Sequence, residues 1–179
     1  MDDAQLRTAI AVARAGERLN LVRSGDWPDI AVSLLVAGRQ EAQLAELAGL
    51  PKSASGWDTD PLVADLSDQH GVMVPPPGEA TELMARLMAQ DLRRRPAAVS
   101  APMIRVMASL APPDFESDLA AQCASIEEYL DCECVARVDT SLEVELEQLP
   151  GLGLPDHVVE ILARRLRAVL PLTQPAHGH

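Results

Sequence analysis

The sequence predicts an all-α fold, an irregular bundle or short array of eight or nine helices, and three observations predict it. The 179-residue chain holds only four aromatic residues, Trp27, Trp57, Phe115 and Tyr129. Its core therefore falls to Leu, Val, Ala, Ile and Met, a palette suited to close helix packing rather than to a β-sandwich. Glycines and prolines recur where helices end and begin. Between them, apolar residues recur three and four apart, the spacing of one helical face.

In order, residues 4–24 form the first expected helix, with Leu6, Ile10 and Ala13 on its apolar side and Gly16 as an internal weak point. Gly25 stands where a left-handed closing residue is wanted. Asp26 then precedes Trp27-Pro28, a cap followed by a first-turn proline, and the helix runs to Ala37 and Gly38. Gln40 to Ala48 is a third helix, ended by Gly49. After the loop Pro51 to Thr59, Asp60-Pro61 is expected to open a fourth, which closes at His70-Gly71. Three consecutive prolines, Pro75 to Pro77, followed by Gly78, make the clearest linker. The chain is accordingly divided into a helical part over 1–74, a linker at 75–78, a second helical part over 79–171 and a tail at 172–179.

Glu79 to Arg95 carries Leu83, Met84, Leu87 and Met88 on one side and ends on Arg93, Arg94 and Arg95, placed against the negative end of the helix dipole. Pro102 sits in the first turn of a helix from Ser100 to Leu110. Beyond Pro112-Pro113, Leu119, Cys123, Ile126, Leu130, Cys134 and Val138 share a face. Thr140 and Glu143 read as a capping box. A small β-hairpin at 132–146 competes locally, because Leu142, Val144 and Leu146 alternate with Glu143, Glu145 and Glu147. Pro155 opens a last helix with Val158, Ile161, Leu162 and Leu166 inward and Arg164, Arg165 and Arg167 outward.

Charge is uneven. Between Asp114 and Leu149 lie eleven acids and one base, Arg137, a net of −10 within a chain whose total is −12. The candidate partner-binding residues are Asp114, Glu116, Asp118, Glu127, Glu128, Asp131, Glu133, Glu143, Glu145 and Glu147, on the solvent side of helices whose other side is apolar and holds the cysteines. Such a surface suits a protein partner with a basic face, or folds back on Arg93–Arg95 and Arg164–Arg167. It argues against nucleic acid, since an acidic chain with few rings neither releases phosphate counterions nor stacks on bases. No apolar run approaches the roughly 20 residues that span a bilayer, which argues against a membrane partner. The acidic N-terminus lacks the basic region of a signal peptide, and three cysteines make a poor disulfide framework, so the cytoplasm is the expected compartment.

Cys123, Cys132 and Cys134 raise the alternative of a metal- or thiol-dependent protein or enzyme. On one helix Cys132 and Cys134 diverge by about 200°, and Cys123 lies about 16 Å from Cys134, whereas zinc needs its sulfurs about 2.3 Å from one point. Buried structural thiols are the simpler account. Asp58, Asp60, Asp65, Asp68 and His70 could gather a divalent ion, but the calcium-loop pattern fails, with Leu62 where a ligand belongs. No cofactor is expected. Nucleophile-elbow, phosphate-loop, dinucleotide and zinc-protease patterns are missing, so no catalytic residue is assigned. His70, His157, His177 and His179 read as surface or tail residues.

Leu44-Ala45-Glu46-Leu47-Ala48-Gly49-Leu50-Pro51 resembles the second helix and turn of a helix-turn-helix DNA reader. The recognition helix should then follow Lys52, where Gly56 and Pro61 are expected to break it and aspartates would face phosphates. Residues 39–70 hold two bases and six acids. DNA regulation through 39–60 is therefore the second alternative. The same region, LLVAG at 34–38 through LAELAGL at 44–50 to Trp57, resembles small all-helical bacterial proteins without an assigned activity. That resemblance implies a helical fold over roughly the first 75 residues and no substrate. The function expected is a non-catalytic protein-interaction module of regulator, adaptor or toxin-neutralising type.

Overall fold

A computed structural model describes residues 1–94 and 151–169. Within them the chain is helical: six α-helices and one short 3-10 turn, with no strand among the described residues. The expected helices over 100–149, the competing hairpin at 132–146 and the tail at 172–179 lie outside them.

Helix α1 (Asp3–Arg18) starts on a capping box. The Asp2 carboxylate accepts the Gln5 N–H (2.8 Å) while the Gln5 side chain accepts the Asp2 N–H (3.1 Å). Leu6, Ala9, Ile10 and Ala13 are fully buried, and the alanines let neighbouring helices come close. The helix is shorter than its pattern predicts. Asn20, with φ of 58°, takes the left-handed conformation assigned above to Gly25. Asparagine tolerates that region because its side chain bonds locally. Gly25 lies instead in the 3-10 turn Ser24–Asp26, where a Cβ would stand 2.5 Å from the Lys52 carbonyl oxygen.

Helix α2 (Trp27–Val36) has Pro28 in its first turn, as expected. Asp26 does not cap it through its side chain but accepts the Arg23 N–H (2.8 Å), closing the turn before it. Gly38, at φ 91°, ends α2 in the left-handed region. Helix α3 (Ala42–Gly49) buries Leu44 and Leu47. Helix α4 (Gly56–Gln69) is capped at Ser55, five residues before the expected cap Asp60. The reason is local. The Asp58 carboxylate accepts both the backbone N–H (2.9 Å) and the hydroxyl (2.8 Å) of Ser55, which anchors the first turn there. Pro61 therefore lies inside the helix, and the only bond it removes is one to the carbonyl of Trp57 in that first turn.

After Gly71 (φ 64°) the chain crosses a non-helical strap, residues 72–76, into α5 (Pro77–Arg94). Helix α6 (Asp156–Val169) completes the described set. α5 packs on α1 and α6, α2 on α3 and α6, and α3 on α4. Leu6, Trp27, Leu44, Leu66, Met84 and Val158, one from each helix, belong to a single buried cluster. The turn before α6 is held by side chains. Gln90 donates to the Leu154 carbonyl (2.8 Å) and accepts the Leu152 N–H (2.9 Å), and Gln5 donates to the Gly153 carbonyl (2.7 Å).

Candidate functional site

The ten acidic residues singled out between Asp114 and Glu147 lie outside the described residues, as do Cys123, Cys132 and Cys134. Two of the arginines that could fold back on those acids have other partners. Arg94 lies 3.1 Å from Asp156, 3.6 Å from Asp91 and 3.8 Å from Glu160, joining α5 to α6. Arg164 meets Asp29 of α2 at 2.5 Å, and Lys52 meets the same carboxylate at 3.2 Å. The Arg164 hydrogen bond is the main reason the Asp29 carboxyl sits below the usual range.

The helix-turn-helix resemblance falls on α3, a six-residue loop and α4. The expectation that Gly56 and Pro61 break the second helix is corrected: it runs unbroken from Gly56 to Gln69. Its outer face is nonetheless unlike a phosphate reader. Asp58, Asp60, Asp65 and Asp68 are all exposed, and the helix carries no base. Trp57, on its first turn, is 93% exposed. Hydrogen bonds from Ser55 hold the Asp58 carboxyl below its ordinary value, so it stays ionised. Among the described residues no group of three or more His, Cys, Asp or Glu could hold a metal ion. His70 instead turns inward, its Nε2 3.7 Å from Glu41.

Two groups of ionisable residues carried no sequence signature beyond one short-range pair each. Glu17 accepts the Trp27 indole N–H (2.6 Å) and the Arg14 guanidinium (2.6 Å). Burial pushes its carboxyl above the ordinary range despite both donors. A cleft of about 520 Å³ opens beside it toward Arg23, Ser24 and Asp60. The second group gathers Arg39, Glu41, Asp3 and the Met1 ammonium, which donates to the Ala37 carbonyl (2.9 Å). It fastens the N-terminus to the α2–α3 connection.

A further groove of about 470 Å³ runs between α1, the Gly71–Pro76 strap and α5. No family model matches this chain, and neither a curated protein nor a solved structure is significantly similar to it. No described helix is long and apolar enough to cross a membrane.

Proposed function

We propose that this protein is a non-catalytic interaction module that binds a cationic protein partner in the cytosol, its acids between Asp114 and Glu147 forming the main contact surface. On this proposal the complete chain has eight or nine helices. The observation that carries it is the outer face of α4: four exposed aspartates, an almost fully exposed tryptophan and no base on the helix. Carboxylates attract a lysine or arginine side chain, and an exposed indole ring adds cation–π attraction. The sequence repeats the same sign of charge more densely, at −10 over 114–149.

The test is capture from lysate on the immobilised full chain. Retained partners are expected to be basic and to elute near 1 M salt, where the screening length falls to about 3 Å. Replacing Glu143, Glu145 and Glu147 with Gln weakens capture, and Trp57→Ala weakens it further. Partners that are not basic, or that resist salt, refute the proposal.

A second reading draws on the unbroken α3–loop–α4 pair: DNA binding through residues 39–60. The four aspartates of α4 oppose it, since they repel phosphate. A mobility shift with duplex DNA at low salt is expected to show no retardation.

A further inference from the structure

The groove between α1, the strap and α5 is lined by more bases than acids, in a chain that is acidic as a whole. Its walls are apolar, with Leu83 from α5 and Val72 to Pro76 from the strap. Two arginines line it, Arg7 from α1 and Arg86 from α5, against one acid, Glu79. Arg7 is exposed and has no carboxylate partner among the described residues. Among the described residues Arg86 donates one bond, to the Gly151 carbonyl (3.2 Å), and its buried Nε has no acceptor. That Nε is closed to solvent, but the guanidinium has no carboxylate partner among the described residues, and its charge adds to that of Arg7 in drawing a ligand carboxylate.

The strap adds a second feature. Met73 is 86% exposed and Val74 46% exposed, beside the groove rather than folded into the core. The backbone N–H groups of Met73 and Val74 make no hydrogen bond among the described residues, although that of Val72 donates to the Ser67 carbonyl (2.8 Å). Val74 precedes a proline, which favours extended backbone there. An extended segment with free N–H groups is an edge on which another chain can lie.

We propose that this groove binds an extended acidic peptide of a partner protein, with Arg7 and Arg86 taking its carboxylates, Leu83 and the strap its apolar side chains, and the Met73–Val74 backbone its main chain. The assignment is independent of the cationic partner argued above and rests on other residues. A net charge of −12 works against an acidic peptide in general, and the groove lining offsets it locally because its bases outnumber its acids.

The probe is a fluorescein-labelled octapeptide alternating Leu and Glu, titrated against the full chain by anisotropy at low salt. Saturable binding is expected. Arg7→Glu, which disturbs no internal ion pair, is expected to weaken it about five- to tenfold, as reversal of a rim charge does. Met73→Pro, which deletes one free N–H on an exposed strap, is expected to weaken it about threefold. Circular dichroism melting of both variants separates lost binding from lost fold. No saturable binding, or unchanged affinity in both folded variants, overturns the proposal. So does retention on phosphatidylserine vesicles without peptide binding, which would make the ligand a lipid surface.

Discussion

Glu17 and Glu41 are both part-buried glutamates, each paired with an arginine two or three residues away, yet burial and pairing balance oppositely at the two sites. At Glu41 burial pushes the carboxyl up, but Arg39 approaches through both Nε and a terminal nitrogen, and the carboxylate also accepts the Gln40 N–H (3.0 Å). The donors win, and the carboxyl lies below its ordinary value. At Glu17 the donors are one nitrogen of Arg14 and the Trp27 indole, and burial wins. The lesson is that an ion pair inside a helical core is stabilising only when enough donors converge to replace the lost water. The Glu41 site is built as a fastening; the Glu17 site holds a carboxylate under strain from its surroundings.

The largest effect is expected from breaking the fastening. Arg39→Leu strands a Glu41 side chain that is only 8% exposed and releases Asp3, at a cost of about 3 kcal/mol. Urea unfolding at pH 7 measures it. Because the folded Glu41 carboxyl is lowered from 4.5, its contribution is complete above that pH and is lost as pH falls through the folded value. The deficit of Arg39→Leu therefore shrinks in acid. A deficit that stays constant below pH 4.5 would show that the guanidinium acts through packing alone.

What the sequence made legible follows the range of the interaction. Helix ends governed by neighbours in the chain could be read directly: Gly38 and Gly71 occupy left-handed positions, and Pro28 opens α2. Where two local signals competed, the weaker-looking one prevailed. Asp60-Pro61 matches the proline rule, but Ser55 and Asp58 three residues apart form an earlier anchor, and the same spacing in Asp2 and Gln5 starts α1. That recurrence was a usable signal for α4. The Glu17 and Glu41 groups had only the short-range pairs Arg14–Glu17 and Arg39–Glu41, with nothing to mark their burial or their distant members. Trp27 reaches Glu17 across a turn whose path depends on Asn20, and Arg39 meets Asp3 across 36 residues, so both pairings are products of tertiary packing. The Trp57 exposure was equally hidden, because the loop expected over Pro51 to Thr59 gave Trp57 no helical phase.

A medium effect sharpens the comparison from the other side. Trp27→Phe keeps most of a fully buried ring but removes the indole N–H from Glu17. The expected cost is about 2 kcal/mol, from one lost charge-assisted hydrogen bond and a small cavity. The Glu17 carboxyl should rise further, since a donor that lowers it is gone. A carboxyl titration followed by NMR checks the direction, and a fall would mean that water replaces the indole.

The smallest effect carries the sign that separates the two sites. Glu17→Gln retains an acceptor for the Trp27 indole and loses the pair with Arg14, whose side chain is 21% exposed, so its net change at pH 7 is within about 1 kcal/mol. Its pH dependence is the informative part. The folded Glu17 carboxyl is raised above 4.5, so the protonated form is favoured in the native state. Its contribution is then present below 4.5 and lost as pH rises through the raised folded value. Glu17→Gln cannot ionise and loses nothing over that interval. Stability relative to the parent should therefore improve from pH 4 toward neutrality and then level off, the reverse of the acid recovery at Arg39. Parallel urea curves for parent and variant across that interval would mean that Arg14 and Trp27 offset the burial of Glu17, and the two sites would then differ in geometry alone.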